Sequence, residues 1–171
     1  MTGPIIIEEY DPFWPQQFEM LRSRIKPIGG RLMTEIEHVG STAVPGLAAK
    51  PIIDIDILLR SSADLPGAIE RLHSLGYLHQ GDLGIPGREA FRAPADDFPH
   101  HLYVCLPEYP EFARHIAFRD YLRAHPEDRK AYARLKHDLE KKFRLDRGAY
   151  TEAKGEFVTS ILGRAKRSGT F

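Results

Sequence analysis

Gly40-Ser41 and Asp54-Ile55-Asp56, with twelve residues between them, are the positions whose types and spacing could do chemistry. Side chains on a strand alternate faces, so Asp54 and Asp56 point together while Ile53, Ile55 and Ile57 face the other way. Two carboxylates that close repel, and burying either one unpaired would push it toward neutrality. A divalent cation is the simplest remedy, because Mg2+ (or Mn2+) is held by one or two protein carboxylates and completed by water and substrate phosphates. Gly40 lets the backbone approach a ligand closely, and the Ser41 hydroxyl can donate to an anionic oxygen. The flanks Pro51-Ile52-Ile53 and Ile57-Leu58-Leu59 read as a central, largely buried strand, where polar residues need a reason. An isolated Asp-x-Asp at a solvated strand edge is the plain alternative. Lys50, just before this strand, reaches either a phosphate oxygen or only solvent.

The stretch from Ile36 to Asp56, containing His38-Val39-Gly40-Ser41-Thr42-Ala43-Val44-Pro45-Gly46 and Lys50-Pro51-Ile52-Ile53-Asp54-Ile55-Asp56, resembles the GrpB branch of the polymerase-beta-like nucleotidyltransferase superfamily. Further matches are Tyr10-Asp11-Pro12 with Trp14-Pro15, His100-His101-Leu102, Phe118 to Arg123 with Pro126, and Tyr150 to Lys154. The resemblance covers nearly the whole chain. It implies a nucleotidyltransferase-like mixed β-sheet flanked by helices, and transfer of a nucleotide from a nucleoside triphosphate to an unknown small-molecule acceptor. Asp54 and Asp56 would hold the metal, and Gly40 and Ser41 the β- and γ-phosphates.

Many active members of that superfamily carry a third carboxylate on a later strand. The matching strand here, His100 to Cys105, has none, and Tyr103 stands where the GrpB pattern shows a second histidine. His101 is a ligand or general base in one reading and a packed, hydrogen-bonded histidine in the other. Of Glu37 and His38, which face opposite sides of a strand, His38 shares the parity of Gly40 and is assigned to the cleft. Arg92, Arg119, Lys136, Tyr150 and Lys154 are candidates for anion or base contacts, or solvated and ion-paired surface groups. His73, His79, His115, His125 and His137 lack ligand spacing and read as structural.

At 171 residues the chain suits one domain, residues 1–171, that can bury a sizeable core. Its formal net charge is zero, but residues 1–110 hold 9 Lys+Arg against 15 Asp+Glu and residues 111–171 hold 15 against 9. The basic half either solvates helix faces or lines a groove facing the carboxylates. Cys105, the single cysteine, excludes an internal disulfide and reads as a small buried residue of a reducing compartment, with cytoplasm as the default. Glu8, Glu9 and Asp11 interrupt any signal-peptide core, and no apolar run suits a membrane span. The neutral balance and the lack of a stacking module argue against a broad nucleic-acid surface. No Walker loop, HExxH, paired CxxC or Gly-x-Ser-x-Gly elbow competes.

Sheet elements are expected first and helices after, an α+β arrangement within the α/β class with a helical C-terminal part. Ile5 to Glu8 reads as a strand, and Asp11-Pro12 opens a helix with Trp14, Phe18, Leu21 and Ile25 on its buried stripe, ended by Pro27 and Gly29-Gly30. Glu35 to Val39 and the Asp-bearing strand follow, joined through a Pro45-Gly46 turn. Asp64-Pro66 opens a second helix that Gly76 stops. Tyr77–Gln80, Glu89–Arg92 and His101–Leu106 are strands, with residues 81–87 a mobile loop. Helices are expected at Phe112–Arg123, Pro126–Phe143 and Thr151–Arg167. A non-catalytic nucleotide- or phosphate-binding module, a helper of coenzyme A or nucleotide metabolism, is the second functional reading. The oligomeric state is open.

Overall fold

A computed structural model describes residues 3–169, so residues 1, 2, 170 and 171 of the expected domain lie outside the described residues. Five strands, β1 (Met33–Val39), β2 (Ile53–Leu59), β3 (Leu78–Gly81), β4 (Arg88–Arg92) and β5 (His100–Cys105), form one mixed sheet in the order β1-β2-β5-β4-β3. Among the described residues the β2–β5 pair is parallel and the other three pairs are antiparallel. A parallel pair needs a crossover, supplied here by α2 (Leu65–Ser74) and the β3–β4 hairpin.

Strand alternation decides which side is core. Ile53, Ile55, Ile57 and Leu59 of β2 join Leu102 and Val104 of β5 and Phe91 of β4 against Trp14, Phe18, Leu21 and Ile25 of α1 (Trp14–Gly29) and Ala68 and Leu72 of α2. Truncating one of the large, fully buried side chains to alanine costs about 2–5 kcal/mol. The opposite face carries the aspartates. It is flanked by the C-terminal helices α3 (Glu111–Ala124), α4 (Pro126–Lys142), α5 (Arg147–Ala153) and α6 (Gly155–Arg167). Their second core gathers Val44 and Leu47 of the β1–β2 connection with Ala117, Leu122, Tyr132 and Ile161. This packing ties the connection between Gly40 and Asp54 to the helical layer.

Three expected elements change. Ile5 to Glu8 is not a strand of the sheet: Glu8 bridges to Ala49, the Ile5 N–H donates to the Arg144 carbonyl at 2.8 Å, and Ile5 and Ile7 anchor beside Leu139 and Tyr150. Asp11 accepts from the Phe13 N–H at 2.8 Å, a turn that delays α1 to Trp14. Pro27 lies inside α1, in its last turn, and does not end it. The expected final helix is two, α5 and α6, and the break at Lys154 aims that side chain inward. Asp146 caps α5 by accepting from Ala149 N–H at 2.9 Å.

Candidate functional site

Register assembles the acidic face. β1 pairs antiparallel with β2 so that Glu37 lies beside Asp56 and Val39 beside Asp54, and the parallel β5 sets His101 beside Asp54 and Tyr103 beside Asp56. Asp54 and Asp56 therefore converge on one side, as alternation requires. Gly40 follows at the end of β1 with φ 70°, a left-handed value that favours glycine. A Cβ there would collide with the Asp54 carboxylate, whose Cγ would stand 2.9 Å away. Backbone and carboxylate are thus in closest approach where the Gly-Ser turn meets the acids.

The two aspartates differ. Asp54 is half-buried and pairs with His101 Nδ1 at 2.9 Å. Asp56 is fully buried; its Oδ2 takes the His115 Nδ1–H at 2.6 Å and its Oδ1 has no hydrogen-bond partner among the described residues. Burial opposes charging of His115, but the hydrogen bond and the Asp56 charge outweigh it and leave its pKa above the ordinary value. Cys105 is buried as expected; burial first, and the Asp56 charge next, push its thiol pKa up. An orphaned, buried anionic oxygen beside a second carboxylate fits a divalent cation, with two carboxylates and the rest water or phosphate. Among the described residues no three acidic, histidine or cysteine side chains converge as a ready-made ligand set.

Two hollows meet at Asp54. One, about 200 Å³, is bounded by Val39, Gly40, Asp56, Arg88, Tyr103 and His115. The other, about 260 Å³, holds Ser41, Lys50, His101, Lys136, Thr151 and Lys154. Lys50 and Lys154 each lie 4.5 Å from the centroid of the buried Tyr150 ring, and Lys136 donates to the Ala48 carbonyl. None of the three lysines is party to an ion pair among the described residues, and Asp54 is the carboxylate that acts on all of them. Desolvation, then repulsion from Lys154, lowers Lys136 to about 7. Desolvation, then Lys50, lowers Lys154 to about 8. Burial and the Arg147 charge lower Lys50 as well.

Of the residues expected at the site, Gly40, Ser41, Lys50, Asp54, Asp56, His101 and Lys154 are brought together. His38 is not. It pairs with Ile55, on the core face, stacks on Phe18 at 4.8 Å and bonds Thr42 Oγ1 at 2.9 Å, so burial lowers its pKa to about 4. Glu37 takes the acidic-face position, where Arg119 binds it at 2.6 Å. The Arg119 guanidinium is consumed by Glu37, Asp120 and the His38 carbonyl, and Arg92 is exposed on β4, outside both hollows. His115, read as structural from sequence, lies on Asp56, and Arg88, which is not among the sequence candidates, lines the same hollow. His115 lies on a helix some sixty residues from Asp56, and only the docking of α3 brings them together. Arg88 carries one signal in the sequence, its even spacing from Ala90 on a strand next to β5.

A family model described as GrpB protein matches residues 4–164. The chain belongs to the GrpB family. It is 42% identical over 159 residues to a UPF0157 protein of Pseudomonas aeruginosa, covering 91% of this chain and 65% of that protein. A UPF0157 protein of Bacillus subtilis is 36% identical, and the match takes in 92% of this chain but 46% of that protein. Relative to these two proteins, the GrpB chain thus spans about half to two-thirds of their length. It is also similar, at 27% identity over 95% of its length and 46% of the other's, to a dephospho-CoA kinase of Mycolicibacterium paratuberculosis. The crystal structure of GrpB from Enterococcus faecalis superposes with a TM-score of 0.87 at 32% identity, covering 97% of this chain and 100% of that one. The MgGTP-bound Cid1 poly(U) polymerase superposes at 0.52 and 16% identity over 79% of this chain and 44% of that one, which establishes a nucleotidyltransferase-like fold. No helix among the described residues is long and apolar enough to cross a membrane.

Proposed function

We propose that this GrpB-family chain is a metal-dependent nucleotidyltransferase that moves a nucleotide from a nucleoside triphosphate to a small-molecule acceptor. The observation that carries the reading is the unpartnered, buried Asp56 Oδ1 beside Asp54, at the end of a cleft whose lysines lack counter-ions among the described residues. Asp54 and Asp56 would hold Mg2+ or Mn2+, and such an ion, when bound, neutralises charge on the attacking and leaving oxygens. His115 fixes Asp56 Oδ2 and leaves Oδ1 free, while His101 steadies Asp54. Lys50 and Lys154, with the Ser41 and Thr151 hydroxyls, bind the triphosphate tail. Gly40 allows the approach that a side chain would block.

In the transfer, an acceptor oxygen bonds to the α-phosphorus and the bond to the bridging oxygen breaks. Pyrophosphate leaves with that electron pair, and the acceptor proton passes to water. In-line displacement puts the acceptor opposite the departing pyrophosphate. With the tail among the lysines, the hollow of Val39, Arg88 and His115 is the acceptor side.

A specific observation favours the second reading: Tyr103, a phenol, stands beside Asp56 where a third acid would complete the superfamily pattern. On that reading the chain binds nucleotide without turnover, as a helper module of coenzyme A or nucleotide metabolism. The likeness to a dephospho-CoA kinase supports this context. Pyrophosphate release decides between them. Each triphosphate is incubated with Mg2+ and a pool of small acceptors, with Asp54→Asn and Asp56→Asn as controls. Turnover in the native chain that both variants lose supports the transferase. Thermal stabilisation by triphosphate and Mg2+ with no turnover supports the binding module.

A further inference from the structure

Arg88 is the group on the acidic face that the mechanism above leaves idle. It opens β4 opposite Cys105, two residues before Ala90, which pairs with Tyr103, which in turn pairs with Asp56. Alternation puts all of them on one side of the sheet. The guanidinium carbon lies 4.2 Å from the centroid of the Tyr103 ring, and Nε is buried with no hydrogen-bond partner among the described residues. The side-chain pairs of this face belong to others: His101 with Asp54, His115 with Asp56, Arg119 with Glu37. Arg88 takes part in none of these pairs, yet it lines the same hollow as both aspartates.

A phosphoryl group under attack gathers negative charge on both the attacking and the leaving oxygens, and two cations usually share it. Two carboxylates can hold one divalent ion; a second needs another acid. The position where β5 would project it beside Asp56 is Tyr103, a phenol that brings no carboxylate to the face. Stacked on that phenol is a guanidinium, whose planar fork of N–H donors matches phosphate oxygens. Tyr103 positions it by ring stacking, at the place where the acid is lacking.

We propose that Arg88 is a catalytic cation of this site, contacting a non-bridging oxygen of the α-phosphate and supplying the positive charge that a second metal ion provides elsewhere. The inference rests on the nucleotidyl-transfer reading and sharpens it: the chain works with one divalent ion. The bonds made and broken are those given above, and Arg88 neither gains nor loses a proton. Because its charge is built into β4, no ligand set for a second ion is required.

Bound Mn2+ counted by electron paramagnetic resonance at saturating ATP tests this without any acceptor. The native chain is expected to bind one Mn2+. Arg88→Gln should weaken the ATP–Mn2+ complex about tenfold, and Arg88→Lys, which keeps the stem and the charge, should weaken it by a smaller factor. Arg88→Asp should supply the absent acid and take up a second Mn2+. Two Mn2+ in the native chain would overturn the role of Arg88 and leave the transferase reading standing, a result that needs no variant to fold. No Mn2+ at all would remove that reading and this inference with it. Equal affinity in a folded Arg88→Gln would also overturn the proposal.

Discussion

The two hollows that meet at Asp54 are held in place by different means. On the carboxylate side, Val39, Asp54, Asp56, Arg88 and Tyr103 come from four neighbouring strands, fixed by the hydrogen-bonded register of the sheet. On the lysine side, Lys136 comes from α4, Lys154 from the α5–α6 junction and Lys50 from the connection before β2, gathered by helix docking and long side chains. The first is a set of groups whose geometry changes only if the sheet does. The second concentrates like charge in a desolvated space and depends on an incoming anion to relieve it. A site built this way divides its labour: strands place the reacting atoms, and helices supply adjustable charge for the tail.

Gly40→Ala tests the rigid side and carries the largest expected effect. Its φ of 70° disfavours any side chain, and the added methyl runs into the Asp54 carboxylate, which cannot move without leaving its place beside His101. A loss of about 2–3 kcal/mol in stability is expected from the combined strain and overpacking. Divalent-ion affinity should drop about a hundredfold, because the clash displaces a carboxylate oxygen from its hollow. Chemical denaturation and metal titration read the two effects separately. Gly155→Ala is the matched control, since an added Cβ there meets nothing within 4 Å among the described residues. A Gly40→Ala variant that keeps native metal affinity would show the carboxylates to be less fixed than the strand register implies.

The same division explains what could be read in advance. Strand periodicity is local, so the buried Ile53-Ile55-Ile57 stripe and the shared side of Asp54 and Asp56 were legible from alternating residues. The helical stripe Trp14-Phe18-Leu21-Ile25 was legible for the same reason. Which neighbouring strand lies in which register is not local. Without the pairing of Glu37 with Asp56, parity relative to Gly40 misassigned His38, because the backbone turns at that glycine and the alternation does not carry through it. Helix docking is less legible still. His115 and Arg119 lie four residues apart on α3, yet one reaches Asp56 and the other closes on Glu37. Nothing in a histidine's own neighbours marks it as the one that meets a carboxylate on β2.

On the adjustable side, Lys154→Met should raise the dissociation constant for inorganic tripolyphosphate about tenfold, and Lys50→Met by a similar factor, each removing one charge-assisted contact. Asp54→Asn should bind tripolyphosphate in EDTA at least as well as the native chain, since it removes the carboxylate that acts on these lysines. Isothermal titration in EDTA checks both, because the lysine cleft needs no cation to attract phosphate. If Asp54→Asn abolished this binding, the cleft would depend on the metal face and the division of labour would fail.

The smallest effect is in pH-dependent stability. Lys136 has its pKa lowered from 10.5 to about 7, chiefly by burial. Below that value both folded and unfolded chains carry the proton, and the folded one bears the cost of a buried charge. Between about 7 and 10.5 the unfolded chain binds more protons than the folded one, so stability rises with pH across this window. Lys154, lowered to about 8, adds to the same trend. Tyr77, Tyr132 and Tyr150, all raised by burial, act the other way once the unfolded phenols ionise near 10. A thermal scan from pH 7 to 9.5 should therefore show Tm climbing by about 2–4 °C, a slope that Lys136→Met flattens while raising Tm at pH 7. Tripolyphosphate should also flatten it, because a bound anion favours the protonated lysine and stabilises the chain more at pH 7 than at 9.5. An unchanged slope in Lys136→Met would mean that this ammonium is not the group that loses its proton on folding, and that the cleft does not store the charge that draws the phosphate in.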